Sequence, residues 1–474
     1  MKKTLKLAGL LLALVMVISA LPVMASAAAD SYTITITNAV DGKVYSAYKI
    51  FDIESLDTTA NPVKATYKVL DPNPVASLFT TEKDGLGDAC FVIDEQGYVT
   101  AKTGVTDAQL AAFAKAALAL VSTADATATA AGDPCVATID VGEDGYFLVD
   151  STIGSLCILT SAATTATIAE KNTEPTITKT VTAIGTDTTD KATASIGEVV
   201  SYSVAITADE GAEKYVYTDK MDNGLTWSGS VVVNDGTADL AAGDDYTLVT
   251  TGLGEGETFK VVFAQDYLDT IADATTITIT YTATVNENAI ADTGSIDNKA
   301  DLTYGDDGVA ETSTASINTY SFDVVKTDAS NNVITGAQFK LYDAATGGNE
   351  IKVVKLSDGS YRVALSTETG VVIEAGEANI DGLGNGTYYL EEVKQPDGYN
   401  KLAERKAVTI NGADNLATVT SNVYSAGGLQ VINQAGSLLP ETGGIGTTIF
   451  YVIGAILVVG AGVLLVAKKR MAAK

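Results

Sequence analysis

The sequence runs to 474 residues, with 30 Lys and Arg against 59 Asp and Glu, a formal net charge of −29 and no histidine. A chain this acidic repels nucleic acid and anionic lipid, and no basic stretch tracks a phosphate backbone, so no nucleic-acid partner is expected. The missing histidine removes the commonest general base and metal ligand together, and neither a nucleophile elbow nor a metal-ligand cluster replaces it; no cofactor, no metal and no enzyme acting on an outside substrate is expected.

The N-terminus opens with the basic run Met1-Lys2-Lys3-Thr4-Leu5-Lys6, continues with an apolar stretch from Leu7 to about Val23, and reaches Ala25-Ser26-Ala27. That order of charged, apolar and small residues predicts a secretory signal peptide over residues 1–27; the other reading, an uncleaved membrane helix, also takes the chain out of the cytoplasm. Beyond it the sequence reads mainly as β. Tyr32 to Thr37, Val200 to Val204 and Thr276 to Tyr281 alternate with period two and are rich in β-branched and aromatic residues. Turn clusters such as Asp222-Asn223-Gly224 and Asp306-Asp307-Gly308 punctuate the strands, as in β-sandwiches. The exception is Thr106 to Ser122, where Leu110, Phe113, Ala117, Leu118 and Val121 recur at helical spacing behind Thr106 or Asp107 as N-cap.

Polar joints at Lys171-Asn172-Thr173-Glu174-Pro175 and around Ser316 to Tyr320 divide the strands into three domains, 28–172, 173–320 and 321–436. With so little linker they predict a rod of tandem sandwiches. The three cysteines, Cys90, Cys135 and Cys157, lack the C-x-x-C spacing of a zinc site. Two readings stand for them: one disulfide with a leftover thiol, Cys135–Cys157 being the leading pair, or three buried thiols.

The tail, 437–474, carries Leu439-Pro440-Glu441-Thr442-Gly443, an apolar run from Ile445 to Ala467 and the basic cluster Lys468-Lys469-Arg470. The run is long enough to cross the ~30 Å hydrocarbon core, with the basic cluster held on the cytoplasmic side. Motif, span and basic tail in this order resemble the LPXTG sorting signal of Gram-positive surface proteins. The resemblance implies cleavage by a sortase between Thr442 and Gly443, capture of Thr442 by an acceptor amine, and residence at the cell wall. Pilin-class and housekeeping sortases and peptidoglycan are then the expected partners.

The second domain opens with Pro175-Thr176-Ile177-Thr178-Lys179-Thr180-Val181, continues through Tyr215 to Trp227 with Asp219 ahead of Gly224-Leu225-Thr226, and closes with Ile296-Asp297-Asn298-Lys299-Ala300. It resembles the isopeptide-forming fimbrial domains of Gram-positive pilins. That implies Lys179 as nucleophile, Asn298 as acceptor amide and Asp219 as catalytic acid. The third domain opens with Phe322-Asp323-Val324-Val325-Lys326, carries Tyr388 to Tyr399 with Glu391-Glu392 inside it, and ends with Gln430-Val431-Ile432-Asn433. It resembles the prealbumin-like (Cna B-type) surface domains and implies the set Lys326, Glu392 and Asn433. Strand alternation sends Glu391 to the opposite face from Glu392.

The chemistry explains the residue types. Burial drives a lysine toward its neutral, nucleophilic form and favours a protonated acid that polarises the amide carbonyl. Fixed strands then hold amine and carbonyl together. Ammonia leaves, and one bond remains from a single autocatalytic turnover. Each bond would close a loop of more than a hundred residues, worth ~4–5 kcal/mol by the chain-entropy estimate for cross-links.

The first domain, with Tyr45-Ser46-Ala47-Tyr48-Lys49-Ile50-Phe51 and its helix, resembles the N-terminal domain of backbone pilins and shows no Lys–acid–Asn set of its own. Backbone pilins carry a lysine at its end in a Tyr-Pro-Lys-Asn context; here Ala169-Glu170-Lys171-Asn172 keeps the Lys-Asn pair alone. The resemblance implies that Lys171 accepts Thr442 of another subunit, stacking identical subunits head to tail. Accessory pilins would be further partners. The alternative is a monomeric wall-anchored adhesin, or an accessory pilin, using the same domains to bind a host ligand.

Overall fold

The computed structural model describes residues 32–60, 63–80, 85–189, 192–272, 274–290, 295–411, 429–437, 439 and 445–472. The signal-peptide residues 1–27 and the motif residues Pro440, Glu441, Thr442 and Gly443 lie outside them. The chain divides into two compact units, residues 1–319 with 382–384, and residues 320–381 with 385–474. The fold is mainly β, as the period-two patterns predict.

In the first part of the first unit, Thr33–Thr37 pairs in parallel with Thr165–Ala169 and antiparallel with Val136–Asp140. A larger sheet runs in the order Phe91–Ile93, Tyr98–Ala101, Lys64–Val69, Val44–Asp57, Gly145–Ser151 and Gly154–Ala162. One core joins Ile34, Ile36, Ala137 and Ile139 of the small sheet to Tyr45, Ala47, Phe147 and Val149 of the large one. A second core packs Ile50, Phe51 and Leu148 of the large sheet against Phe113, Ala114 and Ala117. With apolar partners on both faces, Gly145–Ser151 is buried almost throughout, so it reads as a continuous run rather than an alternation.

The expected helix spans Asp107–Leu118, started by a capping box in which Thr106 and Gln109 satisfy each other's backbone N–H groups. Short helical turns at Ala76–Phe79, Leu86–Cys90 and Gln265–Leu268 were not expected, because one turn is too short to show a 3.6-residue period. The Cys135–Cys157 disulfide is not formed; all three cysteines are free thiols. Cys135 packs against the first core, while Cys90 and Cys157 belong to the second.

The remainder of the first unit is a sandwich of two sheets. One has the order Thr176–Ile184, Val199–Ala208, Thr275–Val285, Leu225–Asn234; the other has the order Tyr246–Val249, Phe259–Phe263, Val216–Met221, Ile296–Tyr304, Val309–Ile317. Aromatic rings fill the space between them: Tyr281 lies edge-on to Phe259 at 5.1 Å, and Trp227 stacks on Phe259 at 4.4 Å.

The second unit is again two-layered. One sheet runs Val353–Lys355, Tyr361–Val363, Glu377–Leu383, Tyr320–Thr327, Leu429–Ile432; the other runs Glu350–Ile351, Ala337–Tyr342, Gly386–Lys394, Lys406–Ile410. The first and last strands, Tyr320–Thr327 and Leu429–Ile432, pair in parallel with Lys326 opposite Val431. The tail forms the helix Ile445–Met471, long and apolar enough to cross a membrane by length and composition, with mean hydropathy 2.8 and Lys468, Lys469 and Arg470 in its last turn.

Candidate functional site

Alternation along three strands of the first unit's second sandwich aims one polar group from each into its apolar core. Lys179 follows buried Ile177 on the same face of its strand, Asp219 follows buried Tyr217, and Asn298 lies between buried Ile296 and Ala300. Antiparallel pairing sets Asp219 opposite Ala300, two residues from Asn298 and on the same face. Lys179 belongs to the facing sheet. The three groups meet inside, with the side chains of Lys179 and Asp219 both fully buried.

Lys179 Nζ donates to Asp219 Oδ2 at 2.7 Å, to Lys299 O at 3.3 Å and to Asn298 Oδ1. Two phenols share the carboxylate: Tyr217 OH donates to Oδ2 at 2.7 Å and Tyr281 OH at 2.5 Å. The Asn298 amide donates from Nδ2 to Tyr281 OH at 3.2 Å. Among the described residues, Asp219 Oδ1 is buried without a partner. The rings of Tyr202 and Tyr281 lie 5.6 and 5.4 Å from Nζ. Burial pulls the Lys179 ammonium down from 10.5 to about 8, against the pull of the Asp219 charge. At any pH well below 8 the neutral fraction therefore rises by about 300-fold over an ordinary lysine, since each pKa unit is a factor of ten. The sequence expectation had the acid bonded to the asparagine carbonyl. Here the amine holds that carbonyl oxygen, and Tyr281 OH stands between the acid and the amide nitrogen.

The set in the second unit is arranged differently. Lys326, fully buried, continues the core face of Phe322 and Val324, and its Nζ donates to Thr327 O at 3.2 Å and Val431 O at 3.0 Å. Glu392 follows buried Tyr388 and Leu390 on its strand and receives Asn433 Nδ2 at 2.8 and 3.0 Å on its two oxygens. Leu402 N also donates to Glu392 at 2.8 Å. Asn433 Oδ1 is buried and has no partner among the described residues. Burial lowers the Lys326 pKa to about 8 against the pull of Glu392. Glu391 takes the other face and is held by Arg405 at 2.9 Å.

Lys171 is exposed, and no ion pair or hydrogen bond holds its ammonium among the described residues. Its neighbours are fixed. Glu170 N donates to Thr37 O at 2.9 Å, extending the parallel pairing of Thr165–Ala169. Glu170 Oε1 accepts Lys171 N at 2.7 Å and Asn172 N at 2.8 Å. The buried Asn172 carboxamide accepts from Leu156 N at 2.9 Å and donates to Leu156 O and Ser151 Oγ at 3.1 Å each. A Cβ on either Gly154 or Gly211 would sit 2.7 Å from Asn172 Oδ1, so two glycines leave the room this amide occupies. Sequence reasoning singled out the lysine and missed this support. Its only signal was the retained Lys-Asn pair and two distant glycines. Leu439, the one residue of the sorting motif within the described residues, is 85% exposed.

The comparisons with known proteins follow the same order along the chain. The family described as Gram-positive pilin backbone subunit 2, Cna-B-like domain, matches residues 196–308; the prealbumin-like fold domain matches 320–424; and the LPXTG cell wall anchor motif matches 432–472. The trypsin-resistant surface T6 protein of Streptococcus pyogenes serotype M6 is 28% identical over 320 residues, covering 60% of this chain and 54% of that protein. The chain thus spans about half the length of that curated relative. The solved T6 backbone pilin of the same serotype matches with a TM-score of 0.50 at 20% identity, covering 81% of this chain and 80% of that one. A full-length major pilin of Corynebacterium diphtheriae matches with a TM-score of 0.48 at 17% identity, covering 86% and 98%. With matches to a pilin backbone domain, a prealbumin-like domain and an LPXTG cell wall anchor motif in that order, the chain is similar to the cell-wall-anchored backbone pilins of Gram-positive bacteria.

Proposed function

We propose that this chain is the repeating subunit of a covalently polymerised pilus, made of an N-terminal domain at 28–172, an isopeptide-forming domain at 173–320 and a prealbumin-like domain at 321–436. A pilin-class sortase cuts between Thr442 and Gly443 and passes Thr442 to Lys171 of an identical subunit, and a housekeeping sortase passes the last subunit to peptidoglycan. The observation that carries this reading is the exposed ammonium of Lys171, unpaired among the described residues, on a backbone whose flanking residues are pinned. An acceptor amine must reach into a second protein's active site, and holding its Cα in place spares the entropy of searching for it.

Within each subunit, Lys179 bonds to Asn298 and Lys326 to Asn433, with Asp219 and Glu392 moving the protons. Supporting this are the two amines lowered to about 8 and their placement on facing or adjacent strands at the start and end of each sandwich. Each reaction is one turnover on the chain itself and leaves nothing to turn over again. The Lys326–Asn433 bond ties the first strand to the end of the last, and the Lys179–Asn298 bond ties the first strand to the last but one, so tension along the chain meets a covalent link before it meets strand pairing. Lys171→Ala should abolish the boiling-resistant ladder of polymers on a denaturing gel of cell-wall extracts. A ladder that persists would show that another lysine accepts Thr442.

A further inference from the structure

We propose that Tyr281 is a catalytic residue of the Lys179–Asn298 bond, relaying a proton from Asp219 to the departing amide nitrogen; this rests on the bond proposed above. Neutral Lys179 Nζ attacks Cγ of Asn298. The Nζ–Cγ bond forms, the Cγ–Nδ2 bond breaks, and Nδ2 must gain one proton to leave as ammonia while Nζ loses one. Nζ hands its proton to Asp219 Oδ2 across 2.7 Å. No hydrogen bond joins Asp219 to Asn298 among the described residues, so the acid that collects the proton does not itself touch the nitrogen that needs it.

Tyr281 OH touches both. It lies 2.5 Å from Asp219 Oδ2 and 3.2 Å from Asn298 Nδ2. As the tetrahedral intermediate collapses, the phenol gives its proton to Nδ2 and recovers one from Asp219. Phenol and carboxylate both finish as they began, and the only product besides the new amide is ammonia. The ring is held for this: it stacks on Tyr202 at 5.5 Å and stands edge-on to Phe259 at 5.1 Å. Tyr217 OH, 2.7 Å from the same carboxylate oxygen and 3.2 Å from Tyr281 OH, makes no hydrogen bond to Asn298 among the described residues.

The second site supports the assignment by contrast. There the acid is glutamate, one methylene longer, and it meets Asn433 Nδ2 directly at 2.8 and 3.0 Å. A short acid with an interposed phenol and a long acid without one deliver a proton to the same atom.

The test synthesises the full chain in a cell-free system, quenches samples in denaturing acid at intervals, and measures the joined Lys179–Asn298 peptide, lighter by one ammonia, after digestion. General acid catalysis contributes on the order of 10²-fold or more. Tyr281→Phe, which keeps the ring packing, should therefore slow bond formation by about 10²-fold, while Tyr217→Phe, which removes a hydrogen bond to the acid but no contact with the amide nitrogen, slows it by far less. Fluorotyrosine at position 281, with a more acidic hydroxyl on an otherwise native ring, should change the rate and covers the case in which Tyr281→Phe fails to fold. Native-rate bonding in Tyr281→Phe, equal slowing by both phenylalanines, or an unchanged rate with fluorotyrosine overturns the relay and leaves the bond itself standing. Absence of the joined peptide from the native chain overturns the bond, and the relay with it.

Discussion

Replacing Asp219 with Asn is the most informative single change. The side chain keeps its size, and Asn298 stays beside Lys179, but the group that accepts the lysine proton is gone. The bond should not form. Its loop spans 119 residues, and the chain-entropy relation for a cross-link of that size gives about 5 kcal/mol at 25 °C. The sandwich that carries it has about 150 residues, and a melting entropy of ~2.1 cal/mol/K per residue turns that loss into a fall in Tm of about 15 °C. Calorimetry of the full chain, with peptide mass mapping of the same samples, reads both quantities. Two results would refute the reasoning: Asp219→Asn that still loses ammonia at Asn298, or complete loss of the bond with Tm lowered by only a few degrees. The first removes the acid from the mechanism; the second removes the cross-link from the stability of the fold.

Other consequences are open to measurement. Because the Lys179 ammonium is lowered to about 8 and only the neutral amine attacks, the rate of bond formation should rise about tenfold per pH unit below 8 and level off above it; quenched time courses between pH 6 and about pH 9 check this. Glu392→Gln should leave Lys326 and Asn433 unjoined and lower the melting transition of the second unit by a similar entropy, ~4–5 kcal/mol. Asn172→Ala should cost about 1–3 kcal/mol by stripping Leu156 N of its buried partner, and should thin the polymer ladder although Lys171 is still present. Asp150 is pushed up to about 7 by burial, so the folded state holds its proton more tightly than the unfolded chain, and that stability is lost as pH rises from about 4 to 7. Asp150→Asn should therefore melt near the native Tm at pH 4 and clearly above it at pH 8, by calorimetry.

Much of this was legible in the sequence because it depends on local order. Strand alternation follows from the two-residue pleat, which is why Thr33–Thr37 and Thr275–Val285 stand where period two puts them. The helix Asp107–Leu118 carries its own start signal in Thr106 and Gln109. The apolar tail and the sorting motif are linear patterns, read in order without a fold. Lys179, Asp219 and Asn298 were chosen by motif, and alternation alone predicts that each faces inward.

Only the tertiary structure decided what those side chains touch. Register and the packing of one sheet on another bring Tyr281 between Asp219 and Asn298; in the sequence it is one more aromatic residue on a buried face. The same packing gives Lys326 two backbone carbonyls instead of its acid. It also seats Asn172 between Gly154 and Gly211 and puts Cys135 and Cys157 in separate cores. Local periodicity is set by covalent geometry and side-chain type, so one chain segment suffices to read it. Proton paths, thiol pairing and the support of an exposed lysine depend on atoms a few ångströms apart from segments that can lie 119 residues distant or more, and only the folded chain specifies those distances.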